Sequence, residues 1–413
     1  MCNVRSRPGL RESGILNHSL SNATRCIALV AGEDSGDQLG AELARALSTR
    51  LPGVRLVGVG GPRMRAAGVD TWIDIAELSV MGIAEVLRHL PRLLRLRRSL
   101  AQRLQQELPD VVVGIDAPDF NLGLERRLKQ AGIPTVHYVS PSIWAWREGR
   151  AAKLGASANR VLCLFPMEPP IYALHGVEAR FVGHPLADRF ALHPDRLAAR
   201  RELGIADDAR VLAVLPGSRS GEIARLGGIF LDAATRVAQA VPEMEILLPA
   251  ANTHCMASLR NLLASRVPGS ACFRLLDGQA HTALLAADVA LVASGTAALE
   301  TMLAKTPMVV GYRIAPLTYR LVHALNLMKT RVYSLPNVLA GRTLVPELMQ
   351  DECRADTLAT ALIDLIGDAS RRAAMVAEFT RLHAELHGPG DGTTAAAHAA
   401  DAIVELLEHH DAA

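Results

Sequence analysis

Leu291-Val292-Ala293-Ser294-Gly295-Thr296-Ala297-Ala298-Leu299-Glu300 reads as a buried strand that turns through small hydroxyl-bearing residues directly into a helix. Such a junction offers free backbone N–H groups and the positive end of a helix dipole to an anion, and a nucleotide diphosphate fits there. Glu300, one turn into the helix, is placed to accept a hydrogen bond from a ribose hydroxyl. Upstream, Val214-Leu215-Pro216-Gly217-Ser218-Arg219 is a second strand-to-loop junction, and it adds a guanidinium. Together the two junctions point to a nucleotide-sugar pocket in the C-terminal half.

Outward from these junctions, short apolar runs alternate with helical sequence. Cys26 to Ala31 reads as a strand, followed by a helix from about Asp37 to Thr49 with Leu39, Leu43 and Leu47 on one face. Val54–Val59, Val111–Ile115, Thr135–Val139 and Val161–Leu164 continue the series. A second series comprises Val211–Leu215, Glu245–Leu248, Cys272–Leu276, Val289–Ala293 and Met308–Val310. The alternation predicts an α/β fold of two doubly wound Rossmann-like domains, each a parallel sheet covered on both faces.

Polar helix-forming sequence after Gly183-His184-Pro185 puts the domain boundary between Leu186 and Gly204. Residues 1–24 read as a flexible extension, 25–190 as an N-terminal domain, 200–370 as a C-terminal nucleotide-sugar-binding domain and 371–413 as a helical tail. The breaker His387-Gly388-Pro389-Gly390-Asp391-Gly392 interrupts that tail. Its last helix is expected either to return to the N-terminal domain or to dock on a second subunit of a homodimer.

Composition excludes several classes of function. Half of the 413 residues are apolar and the net charge is +2, so general disorder is excluded and nothing in the global charge calls for nucleic acid. The six cysteines lack CxxC spacing, which predicts no zinc site, no disulfide framework and a reducing cytoplasm. His137, His184, His281 and His323 lack metal-ligand spacing and read as core or surface residues. Gly58-Val59-Gly60-Gly61 falls short of a dinucleotide fingerprint, and Gly-x-Ser-x-Gly is absent. No cofactor and no metal are expected. No apolar run approaches the roughly 20 residues of a membrane span, and no secretion signal is recognisable.

Ligands of open α/β sheets bind beyond the carboxyl ends of the strands. Asp116, after Val111–Ile115, stands at such an end, where a carboxylate can take a proton from an attacking hydroxyl. The alternative is that Asp116 or Asp119 caps the following helix. Gly32-Glu33-Asp34-Ser35-Gly36-Asp37 sets three carboxylates beside a helix start, a setting that repels phosphate and suits a sugar hydroxyl. Asp37 or Ser35 acting as a helix cap is the structural alternative. Arg219 can reach a diphosphate or pair with Glu222.

From Val80 to Arg103, apolar residues mix with arginine at helical intervals, with six arginines and no acid between Arg88 and Arg103. Val80, Met81, Ile83, Val86, Leu87 and Leu90 could face an anionic lipid surface, or the helix could bury its leucines on the sheet. Trp144 and Trp146 fit sugar stacking, lipid contact or ordinary packing.

On these residues the chain resembles the lipid-A-disaccharide synthases, glycosyltransferases of family 19 with the GT-B architecture. The resemblance runs from Cys26 through at least Glu352. It rests on Val30–Gly40, Gly58–Met64, Val80–Leu87, Gly114–Asn121, His137–Trp146, Leu215–Arg219, Ala293–Glu300 and Ser334–Gly341, in that order. It implies inverting transfer of 2,3-diacylglucosamine from UDP-2,3-diacylglucosamine to the 6-hydroxyl of a lipid acceptor, 2,3-diacylglucosamine 1-phosphate. The products would be a β-1,6-linked disaccharide 1-phosphate and UDP. Asp116 would be the leading base candidate, with Glu33 and Arg219 also in catalytic roles; Arg219, Gly217, Ser218, Ser294, Gly295, Thr296, Glu300 and Asn337 would hold the donor. Glu33 and Asn337 enter by resemblance only. Asp34 departs from the family, which usually has a small or neutral residue there. The enzyme would be cytoplasmic and peripheral on the inner membrane leaflet, where both acylated substrates reside. A UDP-sugar epimerase of the same architecture and a lipid-binding protein with a vestigial cleft are the rival readings.

Overall fold

The computed structural model describes residues 24–78, 83–141, 149–266, 272–314, 332–389 and 392–412. Two parallel sheets organise the chain. The first contains β1 (Cys26–Ala31), β2 (Arg55–Gly60), β3 (Asp70–Asp74), β4 (Val111–Ile115), β5 (Thr135–Tyr138), β6 (Arg160–Cys163) and β7 (Ala179–Phe181) in the order 3-2-1-4-5-6-7. The second contains β8 (Arg210–Leu215), β9 (Met244–Ala250), β10 (Phe273–Asp277), β11 (Val289–Ala293), β12 (Met308–Tyr312) and β13 (Glu347–Met349) in the order 10-9-8-11-12-13. Strand order therefore reverses between β1 and β4 in one sheet and between β8 and β11 in the other. Those reversals open the crevices in which doubly wound proteins bind ligands.

β1, β4 and β11 are buried along their whole length, as continuous apolar runs covered on both faces must be. β3, β7 and β13 are additions to the sequence reading. All three lie at sheet edges, and Ala179–Phe181 and Glu347–Met349 are only three residues each. Edge strands bury less and need no apolar run, so their sequences carry little signal.

The C-terminal helices divide between the two cores. Met375, Phe379, Leu382 and Leu386 of the Ala369–Leu386 helix join the second core. The last helix, Ala395–Asp411, crosses back and packs on the Asp34–Arg50 helix, contributing Ala399, Ala400, Ile403 and Leu407 to the first core. Ion pairs Arg50–Asp401, Arg180–Glu405 and Arg25–Asp411 fringe that contact. Burying Ile403 and Leu407 contributes roughly 1.5–3 kcal/mol each, against about 0–1 kcal/mol for an exposed ion pair, so apolar burial holds the helix and the charges orient it.

Where the chain first leaves the N-terminal sheet, the His184 N–H donates to the Leu386 carbonyl at 2.7 Å. Gly183 has φ +87°, and a Cβ there would stand 2.8 Å from the His387 carbonyl oxygen. The outgoing and returning strands of the crossover are thereby tied to each other.

Candidate functional site

At the first crevice, β1 ends in Gly32-Glu33 and β4 in Asp116-Ala117. A Cβ on Gly32 would lie 2.4 Å from the Ala117 Cβ, so the two loops can meet only with glycine at that position. Asp116 and Ala117 both take left-handed backbone conformations, with φ +51° and +44°. For residues with a Cβ such a pair is unfavourable, and strain of this kind clusters at functional sites. Ala117 is the N-cap of the Pro118–Gln130 helix and contributes no side-chain cap bond, so Asp116 is not spent on helix capping.

Burial, and then the neighbouring Glu33 carboxylate, push the Asp116 carboxyl above its ordinary value. A side-chain hydrogen bond with Glu33 acts in the same direction, while the Ala117 N–H and His137 oppose it. Two carboxyl groups that share a hydrogen bond share a proton, and a half-buried carboxyl so placed is a better base than a free aspartate.

The other acids of this segment have separate duties. Asp37, fully buried, accepts the backbone N–H groups of Gly61 at 2.6 Å, Arg63 at 3.0 Å and Met64 at 3.1 Å, so it caps the neighbouring Pro62–Ala66 helix. Asp34 pairs with Arg63 at 2.8 Å, which gives this departure from the family a local partner. Ser35 donates to Glu33 at 3.1 Å.

Behind Asp116 lies a polar cluster that the sequence did not disclose. Asn121 donates to the carbonyls of Val30, Ile115 and Asp116 at 3.2, 3.2 and 2.8 Å, pinning the ends of β1 and β4 together. His137 Nδ1 and Glu125 Oε1 are 2.8 Å apart, and both side chains are fully buried. The four-residue spacing of Asn121 and Glu125 on an otherwise apolar helix face, beside Leu124 and Leu128, was the available signal.

At the second crevice, Gly217 has φ +133° and lies against Glu222. The Glu222 Oε2 atom accepts the N–H groups of Ser218 at 3.0 Å and Arg219 at 3.3 Å, and Oε1 is 3.5 Å from the Arg219 guanidinium. The ion-pair alternative for Arg219 is thus present. Its side chain is nevertheless 84 % exposed, and an exposed pair contributes at most about 1 kcal/mol. A diphosphate can draw Arg219 away at little cost.

Beside it, Gly295 at φ +144° turns β11 into the Thr296–Leu303 helix without a side-chain cap. The first-turn N–H groups at Ser294 to Thr296 stand next to the Gly217–Arg219 loop because β8 and β11 are hydrogen-bonded neighbours. Burial pushes the Glu300 carboxyl up, and Arg189 draws it back.

Asn337 differs from the sequence expectation of a donor contact. It is fully buried, donates to the Val345 carbonyl and Glu347, and accepts from the Leu344 and Val345 N–H groups. Its amide has no capacity left for a ligand.

In the basic segment, Val80 and Met81 lie outside the described residues, as do Trp144 and Trp146. Ile83, Val86 and Leu87 belong to the Ile83–Glu107 helix, and Leu90 is 43 % exposed. Further along, Leu100, Ala101 and Leu104 are buried in the first core, and the Arg103 guanidinium lies 4.0 Å over the Trp72 ring. The C-terminal part of the helix therefore packs on the sheet. No helix of the described residues is long and apolar enough to cross a membrane.

Comparison with known proteins gives a consistent picture. A profile of the lipid-A-disaccharide synthetase family matches residues 27–400. The lipid-A-disaccharide synthase of Xanthomonas campestris pv. campestris (strain 8004) is 56% identical over 389 residues, covering 93% of this chain and 87% of its own. That of Xylella fastidiosa (strain 9a5c) is 54% identical over 381 residues, covering 92% and 98%. Among solved structures, MurG of Acinetobacter baumannii superposes with a TM-score of 0.55 at 16% identity, covering 93% of this chain and 100% of its own. The UDP-GlcNAc 2-epimerase of Neisseria meningitidis bound to UDP-GlcNAc superposes with a TM-score of 0.57 at 11% identity, covering 93% and 100%. At such identities these two structures speak for the fold alone.

Proposed function

The chain belongs to the lipid-A-disaccharide synthase family, and from that premise we propose that it transfers 2,3-diacylglucosamine from its UDP derivative to 2,3-diacylglucosamine 1-phosphate. The observation that carries the residue assignment is topological. Glu33 and Asp116 follow the strands at one strand-order reversal, and Gly217–Arg219 and Ser294–Thr296 follow those at the other.

In the reaction, the acceptor 6-oxygen attacks the anomeric carbon of the donor sugar while the bond from that carbon to the β-phosphate oxygen breaks. UDP leaves with the bonding electrons, the 6-hydroxyl proton passes to Asp116, and the anomeric centre inverts to β. Charge develops on the departing diphosphate. Arg219 and the Ser294–Thr296 helix start are the groups that meet it, and they act best where the charge is greatest. Glu300 takes the ribose hydroxyls, and Glu33 tunes Asp116.

The donor site is tested by titrating purified protein with UDP. Arg219→Ala should weaken UDP binding about 10- to 100-fold, the worth of a charge-assisted hydrogen bond of roughly 1.5–3 kcal/mol. Unchanged affinity removes Arg219 from the diphosphate. Product analysis separates transfer from epimerisation: UDP release that depends on the acylated acceptor supports transfer, and a new UDP-sugar formed without acceptor supports an epimerase.

The segment around Val80–Leu90 fits the inner-leaflet surface from which both lipids must be taken, because apolar residues, with Leu90 exposed at their end, precede a run of arginines. A Val80→Ser, Val86→Ser, Leu90→Ser variant should float with anionic liposomes roughly 10-fold less than the parent, given about 0.5 kcal/mol lost for each partly inserted apolar side chain. Equal flotation sinks this assignment.

A further inference from the structure

We infer that His137 and Glu125 form a buried ion pair that positions and electrostatically sets Asp116, making both positioning residues of the transfer reaction. The inference rests on the reading of Asp116 as the base. Stability alone does not account for the arrangement around these two residues. Glu125 lies on the inward face of the Pro118–Gln130 helix and His137 on β5, and neither side chain reaches solvent. Gly114 on β4 pairs in register with His137, and a Cβ there would stand 2.0 Å from Glu125 Oε1. The absent side chain at Gly114 is what admits the carboxylate between helix and sheet.

Three atoms of this cluster, Asn121 Oδ1, Glu125 Oε2 and His137 Nε2, are buried and make no hydrogen bond with the protein. Each such atom costs about 1–3 kcal/mol, and an apolar triplet of the same volume would avoid the cost. Clusters of this kind are retained where their charge is used.

The use is legible from the register. Gly114 pairs with His137 and Ile115 with Tyr138, and the Asp116 N–H donates to the Tyr138 carbonyl at 2.8 Å, so Asp116 emerges two residues beyond the position opposite His137, on the same face of the sheet. The groups that face the Asp116 carboxyl are Glu33 from the loop after β1, the Ala117 N–H from its own turn and His137 from β5. Glu33 and burial favour the protonated acid, and a protonated acid cannot take the acceptor's proton. A positive charge on His137 opposes both, and Glu125 is the group that faces His137 to sustain it. Asn121, hydrogen-bonded to the Asp116 carbonyl, fixes the turn on which this balance depends.

Without the positive charge, the Asp116 carboxyl holds its proton to higher pH, and the acid limb of kcat/KM moves upward. His137→Gln and Glu125→Gln should each displace that limb by about 1 pH unit, leave the alkaline plateau within a few-fold of the parent, and leave UDP affinity unchanged. Full-length protein is assayed with both lipid substrates across the limb, with Asp116→Asn in the same series. Limbs that coincide with the parent's, with activity lowered evenly at all pH, make the pair merely structural and overturn the inference. Near-parental turnover by Asp116→Asn instead overturns the base assignment. If the variants do not fold, the imidazole nitrogen shifts of His137 in unmutated protein decide: a doubly protonated ring at the working pH supports the ion pair, and a singly protonated ring overturns it.

Discussion

Asp116→Asn protein is expected to bind UDP as the parent does and to turn over about 10³-fold more slowly, within the 10²- to 10⁴-fold range of a general base. Asparagine has nearly the same shape, and the backbone N–H of residue 116 keeps its bond to the Tyr138 carbonyl, so the left-handed turn can persist. The lost interaction exists only as the acceptor proton moves, so kcat and kcat/KM should fall together while KM changes little. Folding stability should move in the opposite direction. Burial and Glu33 raise the Asp116 carboxyl in the folded state above its unfolded value. The native state therefore binds the proton more tightly, and stability is lost as pH rises from the unfolded value through the folded one. Replacing the group by a neutral amide removes that loss. Urea denaturation near neutral pH should find Asp116→Asn at least as stable as the parent, which marks the carboxylate as kept for chemistry. Turnover near the parental level would move the base to another carboxylate, Glu33 first.

What the sequence disclosed and what it withheld divide along physical lines. β1, β4, β8 and β11 are buried along nearly all their length, so their apolar runs stand out, and the residues just beyond them mark both crevices. Asp116, Gly217–Arg219 and Ser294–Thr296 were legible for that reason, whereas Glu33 came in through resemblance alone. β3, with Asp70 and Asp74 at its ends, and the three-residue β7 and β13 gave no such contrast. The Glu125–His137 pair was hidden because its members are 12 residues apart and meet only when helix and sheet pack. Glu222 was visible as a partner for the Arg219 side chain. Its hold on the backbone of Ser218 and Arg219 depends on the turn at Gly217 and was not.

Asn337→Ala should lower the stability of the C-terminal half by about 3–5 kcal/mol, an exceptional cost for one buried polar residue. The side chain makes four hydrogen bonds, donating to the Val345 carbonyl at 2.9 Å and Glu347 at 2.7 Å, and accepting from Leu344 at 2.6 Å and Val345 at 2.8 Å. Truncation leaves both backbone groups of fully buried Val345 without these partners, and each orphan costs about 1–3 kcal/mol. The damage extends through Glu347, whose carboxylate also accepts the N–H groups of Tyr333 at 2.9 Å and Ser334 at 2.7 Å. Glu347 begins β13, which pairs with β12, so the Leu335–Ala340 helix is tied to the sheet edge through Asn337 and Glu347. Asn337→Asp should not rescue, because it keeps the acceptor and sets a second carboxylate against Glu347. Urea midpoints and UDP affinities measured on the same variants discriminate two roles. A fallen midpoint, with UDP affinity retained in the protein that remains folded, fits a residue that holds the loop. Weakened UDP binding at an unchanged midpoint would instead make Asn337 a direct ligand contact, which would require its amide to leave the four partners it has in the structure.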